Sequence, residues 1–536
     1  MAQVLHSFHE HASPQVLVLI VCPLVLLLLI VRFATSTTTT RRAHKLLDRL
    51  PSPPYKLPLI GHLHLVGSLP HISLRNLAEK HGPDVMLLRL GAVPSLVVSS
   101  AHAAMAVLHT HDHVCASRVQ SDVTDVIFYG STDMAFSPYG DHWRQIRKIV
   151  ATHLLGSKKV GSYRLAREKE VQHVMARIRE AATRSTAVDL SKLLSSFTTD
   201  IVCHAVSGKS FRGGARNELF RELVETSSML IGGFNLEDYF PKLARLEVVR
   251  RMVCARAERI KKKWDDLLDE IINDHAKNTM LDHEINQDRE TDFIDRVVRD
   301  RATLTIDVLL SIQQEYNLTR ENVKAVLVDM FIGGTDTSFI VLDCAMAELI
   351  QNPEVMTKLQ AEVRSVAEGK EMVTEEDLNG MIYLKGVIKE TLRLHSPVPL
   401  FLPHLSMADC EIEGYTIPSG TRVIINGWAL ARDPAYWESA EEFMPERFME
   451  NVGSTMIHDF KGSSFHYLPF GTGRRVCPGM NFGMATVEIM LANLMYHFNW
   501  DLPAATVKIN MTESFGVTMG RKENLILVPA LAQKQV

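Results

Sequence analysis

The sequence predicts a mainly α-helical protein with a small β-sheet region, and three features predict it. Stretches with helical spacing dominate: Arg164 to Ala182 and Val248 to His275 are charged and amphipathic, and Lys324 to Ile350 is largely apolar. Runs of β-branched residues are few and short, at Val85–Ser99, Cys410–Ile417, Thr421–Ile425 and Leu525–Val528. No internal repeat divides the 536 residues, a length that suits one large domain with an N-terminal extension.

Residues 1–34 are the extension and read as a membrane anchor. Val16 to Val31 carry no charge, and Phe33 and Ala34 bring the stretch near the roughly 20 residues that a helix needs to cross a bilayer. Pro23 is tolerable there, and Arg32 can snorkel to the interface. No Lys or Arg precedes the stretch, whereas Arg32, Arg41, Arg42 and Lys45 follow it, which puts the main domain in the cytosol. A cleaved signal peptide is the rival reading, but no basic leading region or clear cleavage site supports it. Asn317 and Asn510, each in a glycosylation sequon, would then stay unmodified. Residues 35–64 read as a polar and Pro-rich linker, because Pro51, Pro53, Pro54 and Pro58 favour a stiff extended path. The main domain takes residues 65–536.

Within it, Ile72 to His81 reads as a short amphipathic helix and Val85 to Ser99 as a hairpin. Asn278 to Asp307 is charged and weakly patterned, as a loop would be. A net charge of −4, from 58 basic and 62 acidic side chains, gives no footprint for nucleic acid. The seven cysteines (Cys22, Cys115, Cys203, Cys254, Cys344, Cys410 and Cys477) form no CxxC pair, which argues against zinc and for free thiols in a reducing compartment.

Phe470 to Gly479 reads FGTGRRVCPG. A thiolate near neutral pH needs support, and Arg474 and Arg475 place cations beside Cys477. The apolar run that follows predicts a helix whose N-terminus begins just past the cysteine, where its dipole favours an anion. Gly471, Gly473 and Gly479 permit tight turns and close approach to a flat ligand. The bland alternative is a Gly-rich loop around a buried thiol. Elsewhere, Trp143 and Arg147 stand four residues apart. Gly333 and Gly334 interrupt the apolar helix at about 1 kcal/mol each relative to Ala and allow a local kink; Asp336 and Thr337 follow at once. Glu390 and Arg393 share one helical face, with Arg447 downstream. Taken singly, the first is a packing break and the second an ordinary surface pair.

In this order and spacing, these segments resemble the signatures of the cytochrome P-450 superfamily. The resemblance implies the P-450 fold with an N-terminal transmembrane helix. It implies haem b, iron protoporphyrin IX, with the Cys477 thiolate as axial metal ligand and Phe470, Arg475 and Gly479 around it, Arg475 on a propionate. Trp143 and Arg147 would contact a propionate too. Glu390, Arg393 and Arg447 would form a triad pinning the loop behind the haem. Thr337 would assist oxygen activation and Asp336 would help relay protons. One departure stands out: many members carry Pro-Arg after the Glu390 helix, the arginine binding a propionate, where this chain has Pro403-His404. Histidine donates a hydrogen bond but is charged only near or below its pKa, so that contact is left open.

Longer stretches, among them LPLIGHLHLVG, GGFNLEDYFPKLA, LLSIQQEYNLT and ESFGVT, resemble grass enzymes that oxidise indole-derived heterocycles in benzoxazinoid synthesis, part of plant defence. That resemblance implies a monooxygenase acting with O2 on indole, indolin-2-one, 3-hydroxyindolin-2-one or a benzoxazinone. Electrons would come from NADPH through NADPH-cytochrome P-450 reductase. The protein would be single-pass in the endoplasmic reticulum membrane with a cytosolic catalytic domain. It points to a pocket around Val119–Phe136, Phe234, Met330, Phe331, Val398, Phe401, Phe515 and Val517, each of which core packing explains equally well. Arg296 to Asp307 reads as an insertion that a solvent loop would tolerate. Alternatives are a monooxygenase of another plant metabolite, terpenoid or phenolic; a haem-thiolate isomerase or dehydratase that needs no oxygen; and a haem sensor without turnover. Asp336 and Thr337 argue against the last two.

Overall fold

The structure, a computed structural model, describes residues 38–210, 215–233, 235–285, 304–449, 464–504, 506, 508–514 and 516–532. The anchor stretch, Phe234, Phe515 and residues 296–303 lie outside these.

The first described element, α1 (Thr38–Leu47), falls inside the stretch read as a linker. Leu47 and Leu50 bury their side chains with Val85, Leu96, Ile417 and Val423, so this part of the chain is packed domain and not only an extended spacer. Helix α2 (Pro70–His81) starts on a proline at its first turn, where the missing N–H costs nothing. The hairpin follows as β1 (Val85–Leu90) and β2 (Val93–Val98), paired antiparallel from Val85↔Val98 to Leu90↔Val93. Next come the two-residue β3 (Ser117–Arg118), α3 (Asp141–Ile149), α4 (Arg164–Thr183), β4 (Val188–Asp189) and α5 (Leu190–Ser207). Helix α6 (Ala215–Gly232) and the long α7 (Glu247–Ile285) run to the segment read as an insertion. The end of that segment is no solvent loop: α8 (Thr305–Ile312) buries Thr305 and Ile306, and Asp307 lies 2.8 Å from His275 Nδ1.

Helix α9 (Arg320–Gln351) organises the rest. Thr319 caps it, accepting from the Asn322 amide while Asn322 Oδ1 accepts from the Thr319 amide. Among the described residues it is the one helix long and apolar enough to cross a bilayer, yet most of that apolar stretch is buried inside the domain. The glycine pair makes no break in it. Gly334 instead lets α5 come close, since a Cβ there would meet Val202 Cγ2 at 2.9 Å.

Helices α10 (Pro353–Val366) and α11 (Ile382–Leu394) precede the remaining strands, β5 (His404–Leu405), β6 (Cys410–Ile412), β7 (Tyr415–Ile417) and β8 (Arg422–Ile425). Helix α12 (Met480–His497) and strands β9 (Phe498–Asp501) and β10 (Ile526–Leu531) complete the set. Three small sheets result, with orders β1-β2-β8-β5-β3, β4-β10-β9 and β6-β7. The largest core runs through α4, α5, α7, α9, α11 and α12. Helices α9 and α12 both contribute side chains to the wall of a cavity within it.

Candidate active site: a thiol facing buried guanidiniums

The Cys477 amide donates to the Phe470 carbonyl at 2.9 Å and closes the loop on itself. Gly471 and Gly473 sit at φ +65° and +72°, where side chains are strained. A Cβ on Gly473 would also stand 2.5 Å from the Leu108 carbonyl. The thiol faces the cavity just before α12. Burial pushes the Cys477 thiol up, while the Gly479 amide, the Arg147 charge and the Met480 amide pull it down.

The supporting cation is thus Arg147, which corrects the expectation of Arg474 and Arg475. Arg474 turns outward to Asp112 at 2.6 Å and to the Tyr139 hydroxyl at 3.2 Å. Arg475 donates to the carbonyls of Ala116, Met134 and Ser137 at 2.7, 3.1 and 2.6 Å and lies over the Trp143 ring at 4.3 Å. Trp143 spends its indole N–H on the Met134 carbonyl at 3.1 Å.

Behind the loop, Glu390, Arg393 and Arg447 come together. Arg393 and Glu390 are fully buried and bidentate at 2.7 and 2.8 Å, and Arg447 Nε reaches the same carboxylate at 3.0 Å. The remaining donors of Arg393 take the carbonyls of Ala431, Ala440 and Glu442. The Tyr467 hydroxyl, donating to the Lys389 carbonyl at 3.0 Å, ties the approach to the cysteine loop to α11. Breaking such a satisfied buried pair typically costs about 3–5 kcal/mol.

Sequence reasoning missed Arg118. It is buried on β3 opposite His404 in the sheet register, and it donates to the carbonyls of Ala135 and Leu402 at 3.1 and 2.7 Å. The one sequence signal was an arginine in the otherwise small and apolar run Val114 to Val119. His404 is also buried. Its Nδ1–H donates to the Cys115 carbonyl at 2.8 Å, and burial with Arg118 alongside holds it well below the usual histidine range. A neutral ring so tautomerised offers Nε2 as an acceptor, so Arg118 is the better anion partner at this strand pair.

Arg118, Arg147 and Arg475 therefore line one region of the cavity, and among the described residues none makes a salt bridge. Burial pushes Arg118 down to about 9 and Arg475 to about 10. Among the described residues, Asp133 is the one carboxyl whose charge is felt at Arg118 and Arg475, which leaves three gathered guanidiniums without salt bridges, at a cost that a ligand bearing two carboxylates would offset.

Above the thiol, Gly333 and Thr337 of α9 line the cavity, and the Thr337 hydroxyl donates to the Gly333 carbonyl at 2.7 Å. Asp336 points instead towards α6 and the C-terminal loop, with Thr518 Oγ1 3.5 Å from its Oδ2. Burial and, next, Glu225 raise its carboxyl to about 7. Met330, Val398, Phe401 and Val517 line the cavity, whose volume is about 340 Å³. Phe331 does not: it is fully buried between Phe220 and Trp264, with centroids at 4.8 and 5.9 Å. Phe331 is therefore core packing and not the pocket residue that the sequence suggests. Asp329, one turn before Gly333, also lines the cavity and accepts the Met134 amide at 2.7 Å. Asp133 hydrogen-bonds it; burial raises both carboxyls, and their closeness lets the pair keep a proton.

A flat dianionic group carrying a metal with an affinity for sulfur meets these demands together, which defines the class as a haem-thiolate protein. The comparisons place the chain within it: it belongs to the cytochrome P450 family, whose sequence profile matches residues 51–528. It is 51% identical over 540 residues to the indole-2-monooxygenase of Zea mays, covering 98% of each chain. It is 51% identical to the indolin-2-one monooxygenase of the same plant, over 98% of this chain and 97% of the relative. It is 50% identical to that plant's 3-hydroxyindolin-2-one monooxygenase, over 93% and 91%. The solved structure of a zebra fish cytochrome P450 with abiraterone superposes with a TM-score of 0.69, covering 87% of this chain and 100% of that one; at 23% identity it speaks for the fold alone. The protein is accordingly a P450 monooxygenase, an oxidoreductase that carries haem on a cysteine thiolate.

Proposed function

We propose that this enzyme oxidises a small indole-derived heterocycle (indole, indolin-2-one, 3-hydroxyindolin-2-one or a benzoxazinone) in benzoxazinoid synthesis. The observation that carries the reading is its near-equal likeness, at 51, 51 and 50% identity, to three relatives named for such substrates. A largely apolar cavity with the Asp329 carboxyl on its wall, hydrogen-bonded to Asp133, suits a flat ring bearing one N–H.

Haem supplies oxygen activation when bound. Cys477 is the residue to ligate the metal. Arg147 and Arg475, joined by Arg118, would hold the propionates, Trp143 orienting their neighbour Met134 and His404 acting as an uncharged support. Phe470 and Gly479 shape the thiol loop, and Glu390, Arg393 and Arg447 fix it from behind. Thr337 would hold a proton beside the oxygen site and Asp336 would resupply it. Residues 1–34 would anchor the chain, single-pass, in the endoplasmic reticulum membrane, with residues 35–64 leading into a cytosolic catalytic domain. NADPH-cytochrome P-450 reductase would supply the electrons.

Turnover in reductase-containing microsomes with the four heterocycles tests the substrate. Oxidation of at least one, dependent on NADPH, is expected. No product from any of them, with a terpenoid or phenolic consumed instead, would move the enzyme to the other substrate class.

A further inference from the structure

Helix α6 ends on a glycine because its last turn abuts the C-terminal loop. A Cβ on Gly232 would lie 1.9 Å from the Val517 amide nitrogen. The loop is fastened to α9 in turn, through buried Arg521, whose Nη1 lies 3.1 Å from Asp343 Oδ2. Three side chains meet along this seam. Ser228 Oγ of α6 is 2.8 Å from Thr518 Oγ1, and Thr518 Oγ1 is 3.5 Å from Asp336 Oδ2. Ser228 is buried, while Thr518 is half-buried and lines the cavity, and Ser228 as well as Thr518 hydrogen-bonds the Asp336 carboxyl. Thr518 is therefore the more open of the two hydroxyls that reach the carboxyl of Asp336.

A hydroxyl accepts a proton on a lone pair while passing on its own. A proton taken up by Thr518 is matched by one passed to the carboxyl, with no net change in the hydroxyl. The 3.5 Å step is long for an O–H···O contact, so the placement of Thr518 decides whether the proton passes. Thr518 is set by the fit of Gly232 against the loop and by the Arg521 tether, not by its own contacts alone.

We propose that Thr518, partnered by Ser228, forms the proton inlet to Asp336, and that the two act as positioning residues for proton delivery. The inference rests on the reading of Asp336 as a proton donor.

The test uses the full-length holoenzyme in membranes with reductase. Thr518→Val keeps the shape and removes the hydroxyl. It should lower product formed per NADPH consumed about tenfold, with a matching rise in hydrogen peroxide. Thr518 lines the cavity, so substrate affinity is read in parallel from the spectral shift on binding, and the loss of coupling at saturating substrate should exceed any change in it. Thr518→Ser should restore coupling, and Ser228→Ala should reduce it less than Thr518→Val. Infrared spectra of the resting holoenzyme give a readout free of turnover. The Asp336 carboxyl band, identified by its loss in Asp336→Asn, should exchange in D2O more slowly in Thr518→Val. Wild-type coupling together with wild-type exchange in Thr518→Val would overturn the inlet. Unimpaired turnover in Asp336→Asn would instead sink the donor reading, and the exchange rates would still report whether the two hydroxyls feed that carboxyl.

Discussion

The thiol side and the oxygen side of the cavity are built by opposite means. On the thiol side, ten consecutive residues, Phe470 to Gly479, carry the sulfur, turn on two glycines of positive φ and close with one backbone hydrogen bond. A single buried knot at Glu390 holds them from behind. On the oxygen side, no segment suffices. Phe128 and Phe136, Ile231 of α6, Met330 and Thr337 of α9, Phe401, and Val517 all arrive from different parts of the chain. Sites fixed by backbone loops depend on spacing, and sites fixed by packing depend on neighbours that spacing does not name.

The comparison is tested most severely at the sulfur. Cys477→Ala should abolish both the thiolate signature of the ferrous–CO spectrum and turnover, reducing product to background. The fold should survive, because the Glu390 knot and the loop hydrogen bond do not use the side chain. A thiolate-type spectrum in this variant would mean that another of the described cysteines binds the metal.

The same contrast explains what was legible. Several elements followed from periodicity, since α4, α7 and α9 need apolar faces at helical spacing and the β1–β2 hairpin needs β-branched residues. The cysteine loop was legible because it is a local pattern with a physical reason, whereas the Glu390 knot and the Trp143 helix were legible only through the family resemblance, since singly the first reads as an ordinary surface pair. Phe331 and Met330 are adjacent in sequence and both apolar, yet one faces the aromatic core and the other the cavity. Only the rotation of α9 separates them, and periodicity does not set that rotation to one residue in a helix buried on all sides. Arg118 and the Asp133–Asp329 pair were missed for a related reason: each is a lone charged residue whose partner comes from far along the chain. The helix α1 was masked by the prolines that follow it.

A smaller effect is expected on the oxygen side, from Asp336. With its carboxyl raised to about 7, it is protonated below that pH and loses its proton as pH rises through it. Product formation limited by this donor should fall on the alkaline side of about 7. Asp336→Asn cannot titrate; it should cost about a hundredfold in rate at pH 6 and show no such limb. The stability effect has the same sign. The native carboxyl binds a proton that the unfolded chain releases near pH 4, so its contribution is full below about pH 4 and is lost as pH rises through 7. A pH–rate profile for the two proteins separates a proton donor from a residue that merely packs α6 against α9.

Arg118 gives the smallest expected effect and the sharpest view of the thiol side, because holo and apo forms should respond in opposite directions. Without an anion the guanidiniums repel one another and make no salt bridge among the described residues, Asp133 being the one carboxyl felt at Arg118 and Arg475, so Arg118→Met should leave the apo-protein as stable or more so. With haem bound, the same change removes one charge-assisted contact, worth about 1.5–3 kcal/mol, and haem transfer to a competing apoprotein should quicken about tenfold or more. Unchanged transfer would confine Arg118 to its hydrogen bonds with the Ala135 and Leu402 carbonyls, leaving Arg147 and Arg475 to hold the propionates. Faster transfer would show that a cation from β3, paired with His404 in the sheet, carries the charge that a histidine buried and neutral at that strand does not provide.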